Sequence, residues 1–82
     1  MVEIDYHPKF KHFFDKIKDK LLKEKVIKQI QKIIINPEVG KPMRNIRRGT
    51  RELYISPFRL SYTYIHSENK IIILEIYHKK KQ

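Results

Sequence analysis

All five arginines of the 82-residue chain, Arg44, Arg47, Arg48, Arg51 and Arg59, fall within residues 44–62, RNIRRGTRELYISPFRLSY. None of the fourteen lysines does. The two cations carry the same charge but differ in shape. A guanidinium is a flat fork that grips phosphate through paired hydrogen bonds and stacks on rings. The segregation points to phosphate held at close range; the bland alternative is a chance cluster on a solvated surface. The same stretch carries one carboxylate, Glu52, with Tyr54 beside it. Cations for phosphates and rings for splayed bases are what single-stranded nucleic acid requires.

This set also has the parts for metal-independent RNA cleavage. There, the neighbouring 2′-hydroxyl attacks phosphorus. A base takes its proton, a cation stabilises the charge building on the phosphoryl oxygens, and an acid protonates the leaving 5′-oxygen. Arg59 is the charge stabiliser. Glu52, Tyr54, His78, Lys79 and Lys80 are the acid/base candidates. Arg44, Arg47, Arg48, Arg51 and Lys81 read as an RNA-binding rim. An ion pair between Arg59 and Glu52 across neighbouring strands is the plain structural reading of those two, and it is compatible with function. His7, His12 and His66 lack a metal-ligand spacing, so no metal site and no cofactor is expected.

Composition sets the bounds. A formal net charge of +10 and a pI near 10.0 point to a polyanion or an acidic protein as partner, the plain alternative being lysines that only keep the protein soluble. No segment reads as a basic amphipathic helix apart from a core, which disfavours an anionic membrane. With no cysteine, disulfides, thiolate metal sites and cysteine nucleophiles are excluded. No apolar run approaches the ~20 residues that cross a bilayer, and the N-terminus lacks a signal-peptide core; a cytoplasmic protein is expected. Residues 1–82 make one small domain, with room for a shallow groove rather than a deep pocket.

The elements that must position these residues follow from periodicity. Residues 1–6 alternate as a half-buried strand that ends at His7-Pro8. Phe10, Phe13, Phe14 and Ile17 mark one helix face. Asp19 caps a second helix with a stripe from Leu21 to Ile34, stopped by Asn36-Pro37. Residues 37–45 are a connector. Then come three strands: one with Leu53 and Ile55 opposite Glu52 and Tyr54, one with Leu60, Tyr62 and Tyr64 opposite Arg59, Ser61 and Thr63, and IIILEIYH. The predicted fold is α+β, ordered β-α-α-β-β-β, with a helical hairpin on one face of an antiparallel meander. The other face carries Arg59, Glu52 and Tyr54 and is expected to lie open. His78 and the lysines after it approach it from the side.

That order, together with GTRELYIS, FRLSYTY and IIILEIYHKK, resembles the RelE/ParE superfamily of toxin–antitoxin toxins over nearly the whole chain. The resemblance implies a small basic toxin. It implies mRNA cleavage in the ribosomal A site, as in RelE-type members, or inhibition of DNA gyrase, as in ParE-type members, with a toxin-like module that binds RNA without cleaving it as a third alternative; the RelE-like branch is the favoured expectation. Arg59 in PFRLSY fits the family's phosphate-binding catalytic arginine. Glu52 agrees with members that carry a glutamate base, while Tyr54 departs from a cationic position. YHKK matches a GHR-like segment, aligning His78 with its histidine and Lys79, or Lys80, with its arginine. The tyrosine that follows this segment in RelE has no counterpart, leaving Tyr54 or Tyr77 to stand in. An acidic RelB-like antitoxin that wraps the toxin is implied as the partner, alongside the ribosome and mRNA.

Overall fold

The structure, a computed structural model, describes residues 1–78. It comprises β1 (Glu3–Tyr6), α1 (Pro8–Lys16), α2 (Lys20–Ile35), β2 (Lys41–Pro42), β3 (Arg51–Ile55), β4 (Phe58–Ile65) and β5 (Lys70–His78). Short 3-10 turns occupy Asn45–Arg47 and His66–Glu68. The α+β order is the one the periodicity predicts, with β2 added. The sheet runs β1-β5-β4-β3-β2; β1 lies parallel to β5, and the other pairs are antiparallel.

Local chemistry explains the helical hairpin. At the start of α1 the His7 ring accepts a hydrogen bond from the Lys9 amide at 3.0 Å, and Pro8 fills a position that needs no N–H. Asp19 Oδ1 accepts from the amides of Leu21 and Leu22 at 2.9 and 3.3 Å, which starts a separate second helix. Phe10, Val26, Ile30 and Ile33 then meet Ile55, Leu60, Tyr62, Ile71, Ile73 and Ile76 in the core. Burying an aliphatic side chain of this kind contributes about 1.5–3 kcal/mol.

Two features depart from strict alternation. In β5, Glu75 pairs with Ser61 while Ile73 pairs with Tyr62, so Leu74 is an extra residue in the ladder. Such a bulge shifts the side-chain phase by one. Ile71 and Ile73 point to the core before it, and Ile76 does so after it.

The connector after α2 is the second. Tyr62 threads it: the hydroxyl accepts from the Gly40 amide at 2.9 Å and donates to the Pro37 carbonyl at 2.8 Å. β2 then pairs Lys41 with Glu52 and Pro42 with Arg51. Proline is tolerated there because the strand is an edge. Asn45 (φ 61°) and Gly49 (φ 93°) turn the following loop back, and the Thr63 hydroxyl donates to the Gly49 carbonyl at 2.7 Å. This loop passes over the sheet face opposite the helices. The expected open face is therefore partly covered, and Glu52 and Ser61 on it are buried.

Candidate functional site

The site is built on the β3–β4–β5 meander. Tyr54 of β3 stands opposite Arg59 of β4, which stands opposite Tyr77 of β5. Cross-strand partners share a face, so these three side chains emerge together. Glu52, two residues before Tyr54, lies diagonally from Arg59. The Arg59 guanidinium donates from Nη1 to Glu52 Oε1 at 3.2 Å, and the Tyr77 hydroxyl donates to Glu52 Oε2. Arg47 reaches in from the covering loop: Nη1 is 3.9 Å from Glu52 Oε2, and the guanidinium carbon sits 4.4 Å from the centre of the Tyr77 ring. That distance is a cation–π contact.

Glu52 is thus the hub of the cluster, 5% exposed and held by two guanidiniums and a phenol. Burial, and then the hydrogen bond and charge of Glu52, push the Tyr77 phenol up to about 12, so it remains a proton-bearing donor. Arg59 keeps a spare donor. Its Nε–H is buried and makes no hydrogen bond. The exposed flank of the cluster forms a groove of about 460 Å³ lined by Val39, Lys41, Glu52, Leu53, Tyr54 and Arg59. Lys41 also lines an adjoining groove with Pro42, Met43, Arg44 and Asn45. One basic track therefore leads from Arg59 to Arg44. Among the described residues no group of three or more His, Asp or Glu is placed to hold a metal ion.

The sequence-predicted residues separate into groups. Arg59, Glu52 and Tyr54 come together as expected, and the Arg59–Glu52 ion pair forms. Arg47 leaves the rim and joins the cluster, while Arg44 and Arg48 stay exposed on the loop. Arg51 does not reach this face. It projects to the helix side and donates from Nη1 to the Glu38 and Gly40 carbonyls at 2.9 and 2.8 Å, with Nη2 3.8 Å from the Glu38 carboxylate. Its partner across the ladder is Tyr62, a core residue, which fixes that direction. His78 is displaced too. It pairs with Phe58, and its ring meets the Phe58 ring edge-on at 5.7 Å, on the face where Phe58 packs against Phe13 of α1. The Leu74 bulge is the reason: it turns Tyr77 towards Arg59 and His78 away. Lys79, Lys80 and Lys81 lie outside the described residues.

Residues 4–82 match the family described as the ParE toxin of the type II toxin–antitoxin system parDE. The chain belongs to that family. Solved toxins of the same fold share little sequence with this one. The isolated E. coli RelE toxin superposes with a TM-score of 0.82 at 13% identity, covering 100% of this chain and 88% of RelE. A YoeB/ParE toxin from Agrobacterium tumefaciens gives 0.83 at 13%, covering 94% and 98%. A chain of the RelBE2 toxin–antitoxin complex from Mycobacterium tuberculosis gives 0.79 at 22%, covering 95% and 98%. No curated protein sequence matches significantly.

In this toxin Tyr77 is the residue that alternation alone misplaces, since strict period two from Ile71 sends it into the core. The available signal is Glu75. A carboxylate in phase with Ile71 and Ile73, followed at once by Ile76, marks the slip.

Proposed function

We propose that this type II toxin inhibits translation by cutting mRNA on the ribosome through metal-independent attack of the 2′-hydroxyl. The observation that carries this reading is Arg59: a half-buried guanidinium with an unused Nε–H, at the edge of a basic groove that also holds Glu52 and Tyr54. In the reaction Arg59 turns to the scissile phosphate and stabilises the charge on its oxygens. Glu52 Oε1, released from Arg59, takes the 2′-proton as the 2′-oxygen–phosphorus bond forms. Tyr54, 53% exposed beside Arg59, offers its ring to a splayed base. Lys79 and Lys80, which follow β5 in sequence, are proposed to protonate the leaving 5′-oxygen. The groove past Lys41 to Arg44 carries the flanking phosphates, with Arg48 and Lys81 adding charge.

A cognate acidic antitoxin belongs to this reading. The RelE and YoeB relatives include chains solved in complexes with RelB and YefM, and a chain of net charge +10 suits an acidic wrapping partner.

Primer extension on an mRNA under translation is the test. Codon-spaced cuts that require ribosomes and vanish in Arg59→Ala are expected. A second reading, gyrase inhibition, draws on two observations: the matched family is the ParE toxin family, and His78 faces away from Arg59. A folded protein that leaves translated mRNA intact and blocks supercoiling would replace the first reading with the second.

A further inference from the structure

The cluster poses a problem that its geometry also answers. For Arg59 to hold a substrate phosphate it must loosen its bond to Glu52. Glu52 is buried, and a buried carboxylate stripped of its partner is strongly destabilising. The binding of phosphate would then be opposed by the loss of the ion pair. Glu52, however, is compensated a second time at its other oxygen, by one donor and one nearby charge. The Tyr77 hydroxyl bonds to Oε2, and the Arg47 guanidinium stands 3.9 Å from the same atom. Arg47 also lies over the Tyr77 ring, which fixes the phenol in place. The loop that carries Arg47 is in turn tied to β4 through Thr63 and Gly49.

We infer that Tyr77 is a positioning residue of the phosphate site, whose hydroxyl keeps the Glu52 carboxylate satisfied while Arg59 exchanges from Glu52 to a nucleic-acid phosphate. The inference rests on the proposed encounter of Arg59 with RNA. It assigns work to a residue that neither touches the groove nor holds the substrate. The expected signature is an energetic coupling. Tyr77 matters for RNA binding only as long as residue 52 carries a charge to be compensated.

The test is a double-mutant cycle on binding of a fully 2′-O-methylated RNA oligonucleotide, followed by fluorescence anisotropy at fixed salt. This probe has no nucleophile, so binding is read apart from cleavage. Tyr77→Phe keeps the ring and its stack with Arg47 and loses only the hydroxyl; affinity is expected to fall about tenfold, the scale of a hydrogen bond to a charged group. Glu52→Gln frees Arg59 and raises affinity. In the Glu52→Gln background, Tyr77→Phe is expected to change affinity by less than about twofold, as non-additivity of contacting residues requires. As a second variant, 3-fluorotyrosine at position 77 retains the donor and is expected to retain the affinity. Equal losses from Tyr77→Phe in both backgrounds, no loss in either, or a fluorotyrosine protein as weak as the Phe variant would overturn the inference. An oligonucleotide that the native protein does not bind would overturn it together with the RNA reading. Binding with the expected coupling but no cleavage on ribosomes would sink only the ribonuclease reading.

Discussion

Tyr77 and His78 are neighbours in β5, yet they lie on opposite faces of the sheet, Tyr77 across from Arg59 and His78 across from Phe58. The RelE-like resemblance makes His78 a candidate for proton transfer; in the structure its ring meets Phe58 on the helix side. His78→Ala is expected to keep ribosome-dependent cleavage within about threefold of the native rate. Arg59→Ala is expected to lower it by ~10²–10³, the usual effect of losing a donor to developing negative charge. Single-turnover cleavage of a ribosome-bound mRNA separates the two. A His78→Ala loss as deep as that of Arg59→Ala would show that the histidine reaches the reacting atoms.

The five arginines stand in different surroundings, and for the RNA binding proposed above salt dependence sorts them. For single strands the slope of log affinity against log salt is about −0.7 per phosphate neutralised. Arg44→Ala and Arg48→Ala remove exposed cations from the loop, so each is expected to flatten the slope by about 0.7. Arg51→Ala is expected to leave the slope unchanged and to lower the melting temperature instead, because its guanidinium is spent on the Glu38 and Gly40 carbonyls. Titrations across a salt series, beside thermal melts, check both halves of this claim.

The sequence made the scaffold legible and the site only partly so. Alternation in residues 51–65 places Glu52, Tyr54 and Arg59 on one face because β3 and β4 pair in register through a short turn. The cap at Asp19 is legible because its bonds reach only two and three residues along the chain; the cap at His7 is equally local but is not among the sequence expectations. What alternation could not supply was set by distant contacts. The 37–50 connector has no period of its own; its path depends on the Tyr62 hydroxyl, the Arg51 fork and the Thr63 hydroxyl, which are 13 to 25 residues away from the groups they hold at Pro37, Glu38 and Gly49 or 11 to 22 away at Gly40. That path is what covers the face expected to be open and brings Arg47 to Glu52. The Leu74 bulge sets Tyr77 rather than Ile76 opposite Arg59 and moves His78 to the helix side, and only Glu75, a carboxylate in phase with the core residues Ile71 and Ile73, hints at it.

Tyr77 gives the fold a signature at high pH. Its phenol ionises near 10.0 when unperturbed and is raised to about 12 in the folded chain by burial and by Glu52. The folded state thus binds this proton more tightly than the unfolded state does. By linkage the resulting stability is fully present below pH 10 and is lost as pH rises through about 12. Lysine titration overlaps this window, so the informative quantity is a difference. The stability advantage of the native protein over Tyr77→Phe, from urea unfolding, is expected to hold constant to pH 10 and to shrink above it. Burial raises the Tyr62 phenol as well, so phenolate absorbance should show two late-titrating tyrosines, of which one disappears in the variant. An advantage that does not change up to pH 12 would mean the phenol is not held on Glu52.

Gly40 offers the sharpest test of how the connector is held. A Cβ built there would lie 2.7 Å from Tyr62 Cε1, 2.8 Å from the Tyr62 hydroxyl oxygen and 3.1 Å from Arg51 Cβ. Tyr62 is fully buried and cannot swing away without opening the core, and Arg51 is pinned by two carbonyls. Gly40→Ala must therefore push the connector off the sheet, which strains or breaks the hydrogen bonds of the Tyr62 hydroxyl to Gly40 and Pro37. Overpacking of this kind costs about 1–3 kcal/mol, and for a domain of this size each kcal/mol lowers Tm by roughly 4–8 °C. Gly49→Ala is the contrasting case: nothing lies within 4 Å of its Cβ, but its φ of +93° is one that alanine adopts only under strain. Combining each with Tyr62→Phe distinguishes the two mechanisms. The Gly40→Ala penalty should change when the Tyr62 hydroxyl is gone, whereas the Gly49→Ala penalty should simply add. Additivity at Gly40 would mean that the hydroxyl is not what fixes the connector's distance from the sheet.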